Sequence, residues 1–302
     1  MFKNTLKTTA LLGGLGGLIV VVAGVLGGGS STALIIGLAL ALVLVGGSYW
    51  FSDRLALKSA RARVITEADA PEFYGIVRNL AQRADMPMPT VAISPDAQPN
   101  AFATGRNPHH AVVCATQGLL QALPRNEVEA VMAHELMHVR HRDILIGSVA
   151  AAIATAISFV ANMALWATMF GGGDDEDRNP IALLAVALLA PIAASLMQMA
   201  VSRSREFEAD RGAAELLGNG QSLASALRRI EAIATRTPME VAPAQAYAYI
   251  HNPLAEFGQG QRGGRQRRSN GPNLARLFST HPSTDDRIEA LEQYDRKRLV
   301  GA

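Results

Sequence analysis

Ala133-His134-Glu135-Leu136-Met137-His138 is the stretch on which the reading of this chain turns. The pattern H-E-x-x-H on a helix sets two imidazoles one turn apart on one face, so His134 and His138 aim at a common point. Neutral imidazoles are good zinc ligands, but a catalytic zinc takes three protein ligands and keeps one position open for water. Glu135, beside the first ligand, stands where it can accept a proton from that water. The spacing predicts one catalytic Zn2+ with Glu135 as base, and it requires a third ligand elsewhere in the chain.

Working outward, the motif helix is expected to start after Pro124, with Asn126 as N-cap, Glu129 in the capping-box position and Val128, Val131 and Met132 as a buried stripe. Past the histidines comes a charged collar, Arg140-His141-Arg142-Asp143, and then an uncharged apolar run from Ile144 to Phe170. That run is long enough to span a bilayer with some tilt. The acidic turn 171–178 leads to a fourth apolar run, Ile181 to Val201, which ends at Arg203 and Arg205. A third histidine on the metzincin spacing is excluded, because Ile144 holds its place and His141 that of the glycine. His141 itself reads as a solvated member of the collar.

The N-terminal end repeats the theme. Lys3 and Lys7 precede an apolar run to Leu26, and a second run, Thr32 to Trp50, closes on Tyr49, Trp50 and Phe51, an aromatic interface belt. A signal peptide is rejected because the first run is long, lacks a clear cleavage site and is followed at once by another. Arg54, Lys58, Arg61 and Arg63 follow. Basic residues at the ends of both hairpins, and none at the first tip, place those ends in the cytoplasm. Composition agrees: 49% of residues are hydrophobic, 18% are charged, and the apolar ones come in blocks. A net charge of +2 is too small to argue for nucleic acid. One cysteine, Cys114, excludes an internal disulfide and reads as inert core.

Topology points to the third ligand. Two antiparallel spans joined by a short turn return Ser204-Arg205-Glu206-Phe207-Glu208-Ala209-Asp210 to the membrane face that carries His138. Glu206 and Asp210 are four apart and share a face continued by Ala213 and Leu217, whereas Glu208 falls with Arg211 and Glu215 on a polar face. Glu206 has the longer arm and suits direct ligation; Asp210 suits holding a ligand imidazole in the correct tautomer.

Between the hairpins the pattern turns soluble. Thr66 to Glu72 reads as a cap and first turn, followed by Phe73, Ile76, Val77 and Leu80 at helical spacing. Three short strands are expected at Thr90–Ser94, Ala101–Thr104 and Ala111–Thr116, with His109 and His110 solvated at the turn between the last two. After Asp210, residues 211–237 read as continued helix, and 258–268 as a mobile basic loop suited to anionic head groups. Ser283 is expected to cap a final helix, with Asp286 at the box position. His281, just outside that start, could hydrogen-bond a developing oxyanion, and Arg287 could orient it or the substrate.

These residues resemble the HtpX-type membrane zinc metalloproteases, relatives of the CAAX prenyl proteases. The resemblance rests on Asn100-Ala101-Phe102-Ala103-Thr104-Gly105, the H-E-x-x-H stretch, Ser204 to Asp210, Thr280-His281-Pro282-Ser283-Thr284 and the four-span layout. It implies Glu206 as third ligand, functional roles for His281 and Arg287, and a substrate-lining strand beginning at Asn100. It also implies cytoplasmic proteolysis of damaged or misassembled membrane proteins, often under envelope stress.

The expected fold is a mainly α membrane protein. Four transmembrane helices in two hairpins (1–51 and 144–201) would carry a cytoplasmic, gluzincin-like zinc-peptidase domain with a small β-sheet (52–143 and 202–302). The expected function is a zinc-dependent endopeptidase of the cytoplasmic (inner) membrane, multi-pass, with both termini and the active site on the cytoplasmic side. Its substrates would be proteins or peptides, membrane proteins among them, and quality control its role. The alternative is a membrane scaffold or holdase with a structural metal site.

Overall fold

The computed structural model describes residues 29–144, 203–234, 250 and 282–300, with positions 13–14, 16–17, 19–20 and 23–24. The expected third and fourth spans, apart from Ile144, the basic loop 258–268 and His281 lie outside the described residues. Two compact units divide the chain: Asp53–Ile144 with Val201–Ala302, and Met1–Ser52 with Leu145–Ala200.

Helix α1 covers Ser31–Ser59. At Gly37 an added Cβ would stand 2.5 Å from the Ala23 side chain and 3.3 Å from the Val20 Cα. Gly37 therefore lets α1 approach the backbone near Val20 and Ala23 closely, and Gly29, at φ +77°, returns its N–H to Gly24 O at 2.8 Å. Ile35, Ile36, Leu38, Leu42 and Val43 are exposed on α1. Among the described residues no helix is long and apolar enough to cross a membrane.

In the other unit a four-stranded sheet runs in the order β1-β2-β4-β3, with β1 Arg63–Val64, β2 Thr90–Ser94, β3 Ala101–Gly105 and β4 Ala111–Thr116. β2 and β4 are parallel; β1 and β3 pair antiparallel at the two edges. The period of two sorts the side chains. Val91, Ala101, Ala103, Val113 and Ala115 face the main helical core, and Ala92, Phe102, Val112 and Cys114 face a smaller cluster with Ala56, Leu57, Ala60 and Ala62 at and beyond the end of α1. Cys114 is fully buried there, and burial pushes its thiol up beyond reach of ordinary chemistry.

Helix α2, Pro71–Arg83, begins later than the sequence suggests. Thr66 and Asp69 close a separate turn through the Asp69 carboxylate, at 2.8 Å from Thr66 N and 2.7 Å from its Oγ1, and Pro71 then opens the helix. A short helix α3, Gln117–Ala122, unforeseen in the sequence, is capped by Thr116, whose Oγ1 accepts from Leu119 N at 3.1 Å.

The motif lies on α4, Arg125–His141. Its N-cap is Pro124 and not Asn126: the Pro124 carbonyl accepts from Glu127 N at 2.9 Å and Val128 N at 3.0 Å, so the extended proline already supplies the first turn. Glu129 instead reaches Arg83, at 3.2 Å. Most of α4 is buried, from Val128 to Val139, because α2, β3, α5 and α6 surround it.

Helix α5 is Arg203–Leu217, and α6 is Gln221–Ala234. The expected single helix through 237 is broken at Gly218, which ends α5 at φ +83°, a conformation glycine adopts without cost to a side chain. α6 is locked to α4 by Glu127, which accepts from Ser225 Oγ at 2.6 Å and from Arg229 Nε at 2.8 Å. The last helix, α7, spans Thr284–Val300; Ser283 caps it as expected, accepting from Asp286 N at 3.1 Å. Asp295 of α7 accepts from Gly220 N at 2.8 Å, tying it to the turn before α6.

Where α5 crosses α4 its face is built from Ala209, Gly212 and Ala213. A Cβ on Gly212 would stand 2.8 Å from Met137 Cγ and Sδ. Gly212→Val should therefore force the helices apart and destabilise the unit by about 1–3 kcal/mol, the usual range for overpacking. Urea denaturation of the detergent-solubilised chain reads the change, and an unaltered midpoint would refute so tight a crossing.

Candidate metal centre

The close α4–α5 crossing brings the predicted ligands together. His134 and His138 stack edge to face, with ring centroids 4.7 Å apart and planes at 89°. Their Nε2 atoms stand 3.1 Å from each other. Glu206, from the first turn of α5, places Oε2 3.8 Å from His134 Nε2 and Oε1 3.6 Å from His138 Nε2. One ligand atom from each of the three lies within 4.8 Å of the others. Zinc bonds of about 2.0–2.2 Å at tetrahedral angles would hold such donors about 3.3–3.5 Å apart. The observed spacings bracket that value, and two imidazoles with one carboxylate are a donor set suited to zinc, so the residues fit the ion.

Both imidazoles have a carboxylate behind them. Asp210 Oδ1 is 2.9 Å from His134 Nδ1, and Asp143 Oδ2 is 3.3 Å from His138 Nδ1. An Nδ1–H donated to each carboxylate turns each Nε2 toward Glu206. Asp210 is in turn gripped by Arg287 of α7, through Nε at 2.8 Å and NH2 at 2.6 Å. Arg287 also stands 3.6 Å from Glu206 Oε2 and donates to the Ile250 carbonyl at 3.3 Å.

The charges settle accordingly. Burial lowers the His134 imidazole pKa, helped by the Arg287 charge and opposed by Asp210. Burial works against a charged His138 too, but the hydrogen bond to Asp143 and the charges of Glu206 and Glu135 outweigh it and raise its pKa to about 9. Glu135 is 2% exposed, and burial pushes its carboxyl up to about 7; His138 opposes that, Glu206 adds to it, and Arg287 and the Ala103 N–H oppose it further.

Of the other residues singled out in the sequence, Asn100 is fully buried; its Oδ1 accepts from Ala101 N at 3.1 Å, and its own N–H reaches Thr116 Oγ1 at 2.9 Å. It shapes the start of β3. Glu208, His109 and His110 are exposed. Asp143 is a residue that sequence reading passed over as part of the charged collar. Its only advance signal was an acid just beyond the end of the motif helix.

Comparison with known proteins adds the following. The sequence model described as Peptidase family M48 matches residues 67–295. A protein of Burkholderia thailandensis named Protease HtpX homolog is 48% identical over 298 residues, covering 97% of this chain and 98% of its own length. A protein of the same name from Burkholderia mallei is 49% identical over 293 residues, covering 95% and 96%. The crystal structure of S. mikatae Ste24p aligns over 96% of this chain and 64% of that one, with 17% identity and a TM-score of 0.48.

Proposed function

This chain belongs to peptidase family M48 and is a metallopeptidase, and from that premise we propose that it is a zinc-dependent endopeptidase of the cytoplasmic membrane that degrades misfolded or damaged membrane proteins. The observation that carries the reading is the convergence of His134, His138 and Glu206 beside the buried carboxyl of Glu135. Those three residues would hold the ion. Bound zinc supplies a Lewis acid that polarises water and a peptide carbonyl.

The rest is done by side chains of the chain itself. A Glu135 carboxylate oxygen takes the proton from the attacking water and returns it to the nitrogen of the leaving amine. A carboxyl poised near neutrality suits both directions of transfer. Asp210, held by Arg287, keeps His134 in the tautomer that offers Nε2. Among the described residues β3 lies at the sheet's edge; there Ile250 N–H already takes the Ala101 carbonyl at 3.0 Å and Ala103 N–H reaches Glu135, and the main-chain groups beyond them can align an extended peptide. Asn100 sets where that strand begins. His281 is assigned the developing oxyanion, from its position just before α7.

Membrane residence is supported by the apolar runs 10–26, 32–50, 144–170 and 181–201, and by the exposed aliphatic side chains of α1. The basic residues flanking both apolar pairs support a cytoplasmic position for 52–143 and 202–302. In sequence the motif helix leads directly into the apolar run 144–170, and a site so connected suits substrates that emerge from a bilayer, which supports a quality-control role.

The test is cleavage of unfolded casein by the detergent-solubilised full chain. Cleavage should be lost on treatment with a chelator and restored by stoichiometric zinc, and the zinc-loaded protein should melt at a higher temperature than the stripped one. Intact casein alongside a zinc-dependent melting temperature would instead favour a scaffold or holdase with a structural metal.

A further inference from the structure

We propose that Asp143 is a positioning residue for His138, doing for the second histidine what Asp210 does for the first. The inference rests on the zinc site above and adds a residue to it. The collar Arg140-His141-Arg142-Asp143 is not uniformly solvated. In that run Arg140 and Arg142 are exposed, but Asp143 is only 7% exposed, and the following Ile144 is in the core. A carboxylate buried beside two arginines that stay in solvent is not a solvated charge. Burial of that kind is tolerated where a hydrogen-bond partner waits, and one partner here is His138 Nδ1, at 3.3 Å.

A continuous helix could not make this contact. Residues five apart stand about 140° from each other around a helix axis, on different faces. The chain solves this at Arg142, which adopts φ 60° and ψ 30° and ends α4 there. Its backbone N–H closes on the His138 and Val139 carbonyls. That left-handed residue redirects the chain so that Asp143 comes back toward the imidazole it has just passed. A non-glycine residue in this conformation is uncommon and costs energy, and the contact it creates is a reason for it to persist.

The consequence is chemical. With Nδ1–H donated to Asp143, His138 turns Nε2 toward Glu206 and His134, and once the ion displaces the Nε2 proton it would be a stronger ligand for the hydrogen bond behind it. Arg142 and Asp143 then act as one device, a turn and the acid it delivers.

The experiment is zinc affinity, by competition with a chromophoric chelator, on the detergent-solubilised full chain, with the visible spectrum of the cobalt-loaded form as a second readout. Asp143→Ala should weaken zinc about 10–100-fold, the usual effect of removing the partner of a ligand histidine, and should alter the cobalt bands. Asp143→Asn, whose side-chain oxygen still accepts from Nδ1–H, should recover most of that loss. If alanine does not fold, Asp143→Leu fills the same space with no acceptor, and its affinity should fall as far. Zinc affinity within about twofold of the parent for the alanine or leucine variant, with an unchanged cobalt spectrum, overturns the proposal. A parent chain that binds no zinc at all would overturn the metallopeptidase site itself, which is a separate result.

Discussion

Arg287→Ala should destabilise the fold by about 3–5 kcal/mol, the cost typical of breaking a buried ion pair from one side. Arg287 is 2% exposed and Asp210 1%, so removing the guanidinium leaves a carboxylate buried without its main counter-charge. Burial by itself would raise the Asp210 carboxyl; the Arg287 charge and hydrogen bonds, with those of His134, hold it well below the usual carboxylate range. The folded value lies below the unfolded one, so this contribution is present above about pH 4 and is lost on further acidification. Lysine should rescue little. The two bonds to Asp210 need a planar fork, and Arg287 also reaches Ile250 and sits 3.4 Å from His134 Nδ1. The paired replacement Asp210→Leu with Arg287→Met should regain part of the stability, since the two closest charges go together while Glu206 still loses the guanidinium 3.6 Å from its Oε2. It should not regain zinc affinity, because His134 has then lost the carboxylate that orients it. Guanidinium denaturation and chelator competition on the same variants separate the two effects. If the double variant bound zinc like the parent, Asp210 would have no orienting role.

How much of this was legible before any coordinates depends on whether the cause was local. Helical periodicity alone puts His134 with His138 and Glu206 with Asp210, and in the structure these four side chains face one another while Glu208 points to solvent. The same holds for the three longer strands, each bounded by turn residues, and for the cap at Ser283. What escaped depended on backbone choices that composition does not announce. Asn126 is a better N-cap by side chain than Pro124, yet the proline's extended conformation starts the helix two residues earlier. Residues 211–234 keep helical spacing across Gly218-Asn219-Gly220, and the periodicity hides the break made there by the left-handed Gly218 and by Asn219, whose Oδ1 accepts from Ser222 N at 3.3 Å. β1 is two residues long and owes its existence to β2. Asp143 is the clearest case: from spacing it belongs with its exposed neighbours, and one left-handed arginine turns it inward.

Glu135→Gln is expected to lower peptide hydrolysis by about 10²–10⁴-fold, the contribution usual for a general base, while zinc affinity stays within a few-fold of the parent. The substitution keeps shape and a hydrogen-bond acceptor for the Ala103 N–H, so the α4–β3 contact survives. What it removes is the capacity to take up and return a proton. It should also change stability in a direction that only a buried acid explains. Burial first, and then Glu206, raise the folded value of Glu135 from 4.5 to about 7, so ionising it opposes folding as pH rises through that interval. The metal-free Glu135→Gln protein should thus melt higher than the metal-free parent at pH 8, and the two should converge near pH 4, where the parent's carboxyl is protonated in both states. Casein cleavage, chelator competition and melting curves at the two pH values examine each claim separately. Retained cleavage by Glu135→Gln would remove Glu135 as the base, and equal melting temperatures at pH 8 would mean that its carboxyl is better solvated than its burial indicates.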